Sequence, residues 1–475
     1  TALNILGLSI GIAGLIFAVL YWNDEHSYNA WNPEKEKVFA TSTSFDNIEY
    51  YGSSVAALGP FLENSFQELE SFCYLNTWYN AGLIEYKGKK ILPEKIIDSQ
   101  KNFFSFFPFE FSAGSAIKAL EDAQSIALSE ESAKDLFGDE DPMGKQVLFN
   151  KKMLTVKGVY RIIGKSSFEP TAVTSQIDPK LKESEEQWSN FQFGLLIKLK
   201  NPDEAERVRA KIENLYYTNK TIKDAKQMGL SVEDYIAKYG TAHVLIEPMK
   251  DMRFTKAEGF PEGKGNFQLL AITCVLSVLI LILSMVNYIN LATANAIKRA
   301  KEIGVRKVLG ASRQNIVLQF IFETIITTCL SIFFALVIVE LSLPFYNQFL
   351  SKELTIYGST FYVQLLFIFM IVVVLAGIFP ALYVANFETL QVLRGNFSRS
   401  KRGIWLRNGM LVLQFAIASF FTIGSYIVYE QVSFMMKKEV GFKGEQVLDV
   451  YYRNHYDYNE EGFREKLLHK YEATK

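Results

Sequence analysis

The residues best placed to do chemistry in this sequence are cations, and their pattern suits docking rather than catalysis. Lys298, Arg299, Lys301, Arg306, Lys307 and Arg313 stand against the single acid Glu302 in the stretch 298–314. Positive charge at that density recognises an acidic protein surface or anionic headgroups, and it supplies neither nucleophile nor general base. Other groupings offer less. Gly138 and Gly144-Lys145 approach a phosphate loop, but five residues separate the glycines and Gln146 stands where a magnesium-binding Ser or Thr is required. The intervening Asp139, Glu140 and Asp141 would repel a triphosphate. Glu130-Glu131 and Glu185-Glu186 lie in solvated, charge-rich sequence, and no GxSxG or HExxH motif occurs. His26, His243, His455 and His469 are scattered, and Cys73, Cys274 and Cys329 form no CxxC pair. The expectation is therefore no catalytic residue, no metal site and no cofactor, with any ATPase carried by another polypeptide.

One long element positions the cationic stretch. Gln268 to Ala292 is an uncharged apolar run of about 25 residues, enough for a helix to cross a bilayer. It passes without a break into the basic segment, and a Lys/Arg excess beside a membrane helix marks the cytoplasmic side. Helical spacing puts Lys298, Arg299, Glu302 and Arg306 on one arc, with Ile297, Ala300, Gly304 and Val308 opposite. Lys301 and Lys307 blur that division. Spacing alone leaves two readings: a segment that only sets topology and touches anionic lipid, or a charged helix on which a soluble partner pushes.

Composition fits a membrane protein with a large water-exposed part. Hydrophobic residues make up 49% and aromatics 14%, yet 21% of residues are charged. The net charge of -1 gives no global case for a nucleic-acid partner. The predicted fold class is an α-helical membrane protein with an inserted α+β extracytoplasmic domain. Residues 1–23 read as membrane helix 1, carrying Gly7, Gly11, Ala13 and Gly14 for close packing. Residues 24–266 read as the extracytoplasmic domain, with strands such as Val38 to Thr43 and Leu154 to Tyr160 and helices such as Glu130 to Phe137, capped by Ser129.

Residues 267–343 hold membrane helices 2 and 3 around a cytoplasmic segment at 295–314, and 344–360 form an outer loop beginning at Pro344. Residues 361–385 give helix 4, broken near Gly377 and Pro380, and 386–405 a second cytoplasmic linker with Arg394, Arg399, Lys401 and Arg402. Residues 406–430 give helix 5, and 431–475 open a second soluble domain. Four helices plus a domain thus form one repeat, with a second beginning. The start at Thr1 and the charged, Tyr-rich end suggest a fragment cut at both ends. Inside helix 3, Glu323 and Glu340 are costly in hydrocarbon unless paired or facing a cavity. Glu340 lies near the outer end and can reach water, whereas Glu323 lies nearer the inner end, within reach of Arg313 or a neighbouring helix.

The run Lys301-Glu302-Ile303-Gly304-Val305-Arg306-Lys307-Val308-Leu309-Gly310-Ala311, followed by Gln319-Phe320 and Glu323, resembles the signature after the second membrane helix of the MacB/FtsX-type ABC transporter permeases. Residues 102–160, above all Leu136-Phe137-Gly138-Asp139-Glu140-Asp141-Pro142-Met143-Gly144-Lys145, resemble the periplasmic core domain of the same permeases. The resemblance implies an inner-membrane permease subunit without ATPase activity of its own. Its coupling residues would be Lys298, Arg299, Glu302, Gly304, Arg306, Lys307 and Gly310, with Glu323 a candidate inside the membrane. Implied partners are a cytoplasmic ABC ATPase, membrane lipid and an extracytoplasmic substrate or partner, for export of peptides, lipoproteins or antimicrobials. A mechanical relay controlling an envelope hydrolase has the same architecture. A membrane-bound ligand sensor is the rival from another class, and the inner loops are too short for its signalling domain.

Overall fold

The computed structural model describes residues 2–45, 49–76, 82–259, 264–385 and 401–438. The described residues divide into two compact units, one containing 2–25 and those from 266 to 438, the other those from 26 to 265. The chain thus crosses between them at Glu25–His26 and again at Gly265–Asn266.

Helix α1 (Ala2–His26) belongs almost wholly to the first unit. The second unit is α+β. Its first sheet is antiparallel and has five strands, in the order 242–248, 38–45, 191–199, 54–55, with 69–76 also paired to 191–199. Alternate residues of these strands (Phe39, Leu195, Ile197) pack with Val208, Ile212 and Tyr216 of the helix Ala205–Tyr216. The second sheet has eight strands centred on 152–161, which pairs with 146–149, 110–114 and, in parallel, 125–129. An eight-residue helix, Glu130–Phe137, packs Ala133, Leu136 and Phe137 on this sheet. Its N-cap is Ser129, whose hydroxyl accepts from the Ser132 amide, and it stops at Gly138 with φ +64°. A third cluster gathers Phe103, Phe104, Phe106, Phe107 and Phe109 with Tyr160 and Phe168. The aromatic stretch at 103–111 is therefore core, its rings meeting edge-on or stacked at centroid distances of 4.6–6.4 Å.

The first unit is helical. After α1 come α2 (Phe267–Lys298), α3 (Ala300–Val308), α4 (Arg313–Leu350), α5 (Ser359–Val372), α6 (Ile378–Ala385) and α7 (Lys401–Lys437). Five stretches among the described residues are long and apolar enough to cross a membrane: 2–26, 267–296, 313–350, 359–382 and 411–437. Packing is tightest where side chains are small. A Cβ on Gly11 would meet the Ser284 side chain and come within 3.2 Å of the Leu281 Cα, so α1 and α2 touch almost backbone to backbone. On α4 the buried face is Ile316, Phe320, Thr324, Thr328, Ser331, Ala335, Val339 and Leu343, a stripe whose middle, from Thr324 to Ala335, consists of small residues.

Three helix ends differ from the sequence expectation. The outer loop does not begin at Pro344, because α4 runs through it to Leu350. A proline removes one N–H and crowds one carbonyl, which a packed membrane helix tolerates, and α4 stops instead where Ser351 turns left-handed at φ +53°. Gly377 and Pro380 do not break the fourth span. Val373–Gly377 forms a π-helical turn, widening the helix just before the proline that cannot donate to the Ala376 carbonyl, and α6 then continues. The fifth span runs past Glu430 to Lys437, since no Gly or Pro interrupts 425–438. Residues 386–400 of the second basic linker, and the second soluble domain from 439 onward, lie outside the described residues.

Candidate functional site

Helix α2 ends at Lys298, Arg299 takes a turn conformation (φ −92°, ψ 8°), and α3 begins at Ala300. That turn rephases the charged segment. The buried side of α3 carries Ile303 and Gly304, and Ile303 packs with Ala296, Ile316, Phe320 and Ala381. Val308, placed by simple periodicity among the inward residues, is 67% exposed, and Leu309 is 81% exposed. The expected arc is therefore corrected: the turn at Arg299 brings Ile303 under the segment and sends Val305, Val308 and Leu309 outward.

The charges above this apolar seat close a ring. Glu302 lies between two guanidiniums, 3.3 Å from Arg299 Nε and 2.7 Å from Arg306 Nη2. Arg299 Nη1 reaches Glu323 at 3.3 Å. Arg306 Nη1 donates to Gln319 Oε1 at 2.8 Å, and Gln319 Nε2 donates to Glu323 Oε1 at 3.1 Å. The five side chains thereby tie α3 to the first turns of α4. The Glu302 hydrogen bond, with help from Glu323, holds the Arg299 guanidinium above its ordinary pKa against the opposing effect of burial. Glu323, expected near Arg313 or a neighbouring helix, is thus paired with Arg299 across the turn.

The remaining expected residues divide by environment. Lys307 is half-buried, and burial together with the nearby Arg313 charge lowers its pKa. Gly310 sits at φ +96° with open space around it, so glycine is needed there for the turn rather than for clearance. Ser312 then caps α4, accepting from the Asn315 amide. The Lys298 side chain lies outside the described residues. Four residues carrying this geometry were not singled out by charge: buried Ile303 and exposed Val305, Val308 and Leu309. Their signal was the presence of apolar residues inside a cationic stretch.

The second glycine-lysine motif is occupied by its own neighbours. Lys145 pairs with Glu140, which also receives Lys87 at 3.1 Å, and Asp141 Oδ1 accepts from the Met143 amide. This is an ordered turn between a helix and a strand. Among the described residues no group of three or more His, Cys, Asp and Glu side chains is gathered for a metal ion.

Residues 1–215 match the MacB-like periplasmic core domain, and residues 274–389, which contain the whole ring, match the FtsX-like permease C-terminal domain. The chain belongs to the MacB/FtsX-type ABC transporter permeases. This permease is similar to the macrolide export ATP-binding/permease protein MacB of Neisseria gonorrhoeae, 26% identical over 206 residues, which are 43% of this chain and 28% of that protein. It is similar to the MacB of Neisseria meningitidis at 25% over 209 residues, with the same two coverages. The matched stretch thus spans little more than a quarter of those relatives' length. Among solved structures, a permease domain from Porphyromonas gingivalis aligns at a TM-score of 0.37 and 16% identity, covering 51% of this chain and 98% of that one. The periplasmic region of MacB from Actinobacillus actinomycetemcomitans aligns at 0.30 and 12%, covering 45% and 92%. The permease is a multi-pass inner-membrane protein with an α+β periplasmic domain.

Proposed function

We propose that residues 295–314 form the coupling segment of this permease, docking on a cytoplasmic ABC ATPase carried by a separate subunit. The observation behind this is the closed ring of Arg299, Glu302, Arg306, Gln319 and Glu323 over the seat of Ile303. A ring that spends its arginines internally makes α3 a rigid lever on α4. Val305, Val308 and Leu309 then form the apolar knob that enters the ATPase, with Lys307 adding positive charge beside it. Motion of α3 passes into α4 and from there through the small-residue contacts of the bundle to the periplasmic domain. The cargo is expelled from the outer side and belongs to the peptides, lipoproteins or amphiphilic antimicrobials. Exposed side chains such as Leu318, Phe322, Phe333 and Phe345 face lipid.

Co-purification of the full-length protein from membranes tests this. An ATP-hydrolysing subunit should come with it. Val308→Asp with Leu309→Asp should abolish that association without touching the ring, and Arg306→Glu with Lys307→Glu should abolish it while membrane insertion stays intact. Retained association in both double variants would overturn the assignment.

A further inference from the structure

At the end of α1 that leads into the periplasmic domain, three charged side chains are buried together. Lys352 Nζ lies 2.9 Å from Asp24 Oδ2 and 2.8 Å from Glu25 Oε1, and the three side chains are only 11%, 6% and 1% exposed. Lys352 directly follows the left-handed Ser351 that ends α4, and its amide donates to the Asn347 carbonyl at 3.0 Å. The loop presenting it is stiffened further by Asn347, which donates to the Leu354 carbonyl at 3.1 Å and accepts from the Leu354 amide at 3.0 Å. Beside the triad, Asn23 and Gln364 of α5 exchange two side-chain hydrogen bonds, of 2.7 and 2.9 Å. Helix α1 is thus fastened to both flanks of the α4–α5 connection within two residues of the crossover into the periplasmic unit.

We propose that Asp24, Glu25 and Lys352, with the Asn23–Gln364 amide pair, form an ion latch that holds the periplasmic end of α1 to the α4–α5 connection and releases as a two-state joint. The energetics of buried charge give the joint that character. A single ammonium compensates two carboxylates, so removing it strands two like charges away from water. Pulling the joint open instead rehydrates all three groups, which makes separation less costly than parting an apolar contact of similar size. The latch is therefore strict about geometry and permissive about opening. It goes beyond the coupling assignment and stands whether or not α3 meets the ATPase.

Disulfide formation between Asn23→Cys and Gln364→Cys, which replaces the amide pair and leaves the charged triad to close the joint, reports the closed state in full-length membrane-embedded protein with Cys73, Cys274 and Cys329 replaced by alanine. With the triad intact, cross-linking should be near complete. Lys352→Met should lower the yield about fivefold or more. Adding Asp24→Asn and Glu25→Gln to Lys352→Met removes the stranded charge and should restore cross-linking. Unchanged yield in Lys352→Met overturns the latch. Loss of yield in Lys352→Met that the neutral triple variant does not restore also overturns it, because the cluster would then act through packing rather than charge.

Discussion

The two ends of this membrane unit are joined by the same kinds of side chain under opposite conditions. At the α3 end, Arg299, Glu302, Arg306 and Glu323 pair with side chains 41–48% exposed. At the periplasmic end, Lys352, Asp24 and Glu25 pair with almost no access to solvent. Exposed pairs contribute about 0–1 kcal/mol each and weaken with salt. Breaking a buried pair from one side costs about 3–5 kcal/mol. The ring can therefore flex and re-form while it aligns α3, whereas the triad is either made or lost. What holds α3 in place is the apolar seat beneath the ring, and what holds the far end of α1 is charge itself.

The largest effect expected from this contrast is at the triad. Lys352→Met should destabilise the membrane unit by about 3–5 kcal/mol, read as a lowered thermal midpoint in detergent, and 0.5 M salt should not rescue it. A loss under about 1 kcal/mol would put the triad in the same class as the ring. Next comes Ile303→Ala, which should cost about 2–5 kcal/mol locally and raise hydrogen exchange across 300–308, because it empties the seat of α3. Glu323→Gln should cost about 1 kcal/mol or less at low salt, an effect that added salt erases. A larger loss, insensitive to salt, would make the ring the principal brace.

The smallest effect is in the pH response of two lysines shifted in opposite senses. Burial opposes the charge of Lys352, but hydrogen bonds and attraction from Glu25 and Asp24 outweigh it and raise its pKa above 10.5. A raised folded-state pKa contributes stability throughout the range below 10.5 and loses it as pH rises through the folded value. Lys307 has a lowered pKa, so its charged form costs stability at neutral pH, and the cost is relieved as pH climbs from its folded value toward 10.5. Titrating Lys352→Met and Lys307→Met variants between pH 7 and pH 11 should therefore give difference curves of opposite slope, as about one titrating proton each would produce. Parallel curves would remove the distinction between the two ends.

Much of this was legible from residue order. The apolar runs announced the spans, the cationic stretch announced the segment after α2, and Ser129 three residues ahead of Ser132 announced a capped helix. Those signals are local, which is why they survive in one dimension. The ring was only half legible: Glu323 was marked as costly in hydrocarbon, but its partner Arg299 sits 24 residues away across a turn no periodicity reveals. The triad was illegible, since Asp24-Glu25 fell at the start of the expected extracytoplasmic domain and Lys352 in the expected outer loop at 344–360. Helix ends failed for a related reason. Pro344 and Pro380 carry strong local breaking tendencies, yet packing along α4 and a single π-helical turn absorb them. The strands 69–76 and 242–248 were missed because their partners, 191–199 and 38–45, are distant in sequence.

Gly11 carries a final implication. Because α1 and α2 meet with no room for even one methyl group between Gly11 and Ser284, the two strands of chain that leave and re-enter the membrane unit are fused partway along their length. A twist or piston stroke imposed on one must be shared by the other. Within the membrane unit α1 and α2 thus form a single stem rather than two independent legs, and a valine at position 11 would split that stem.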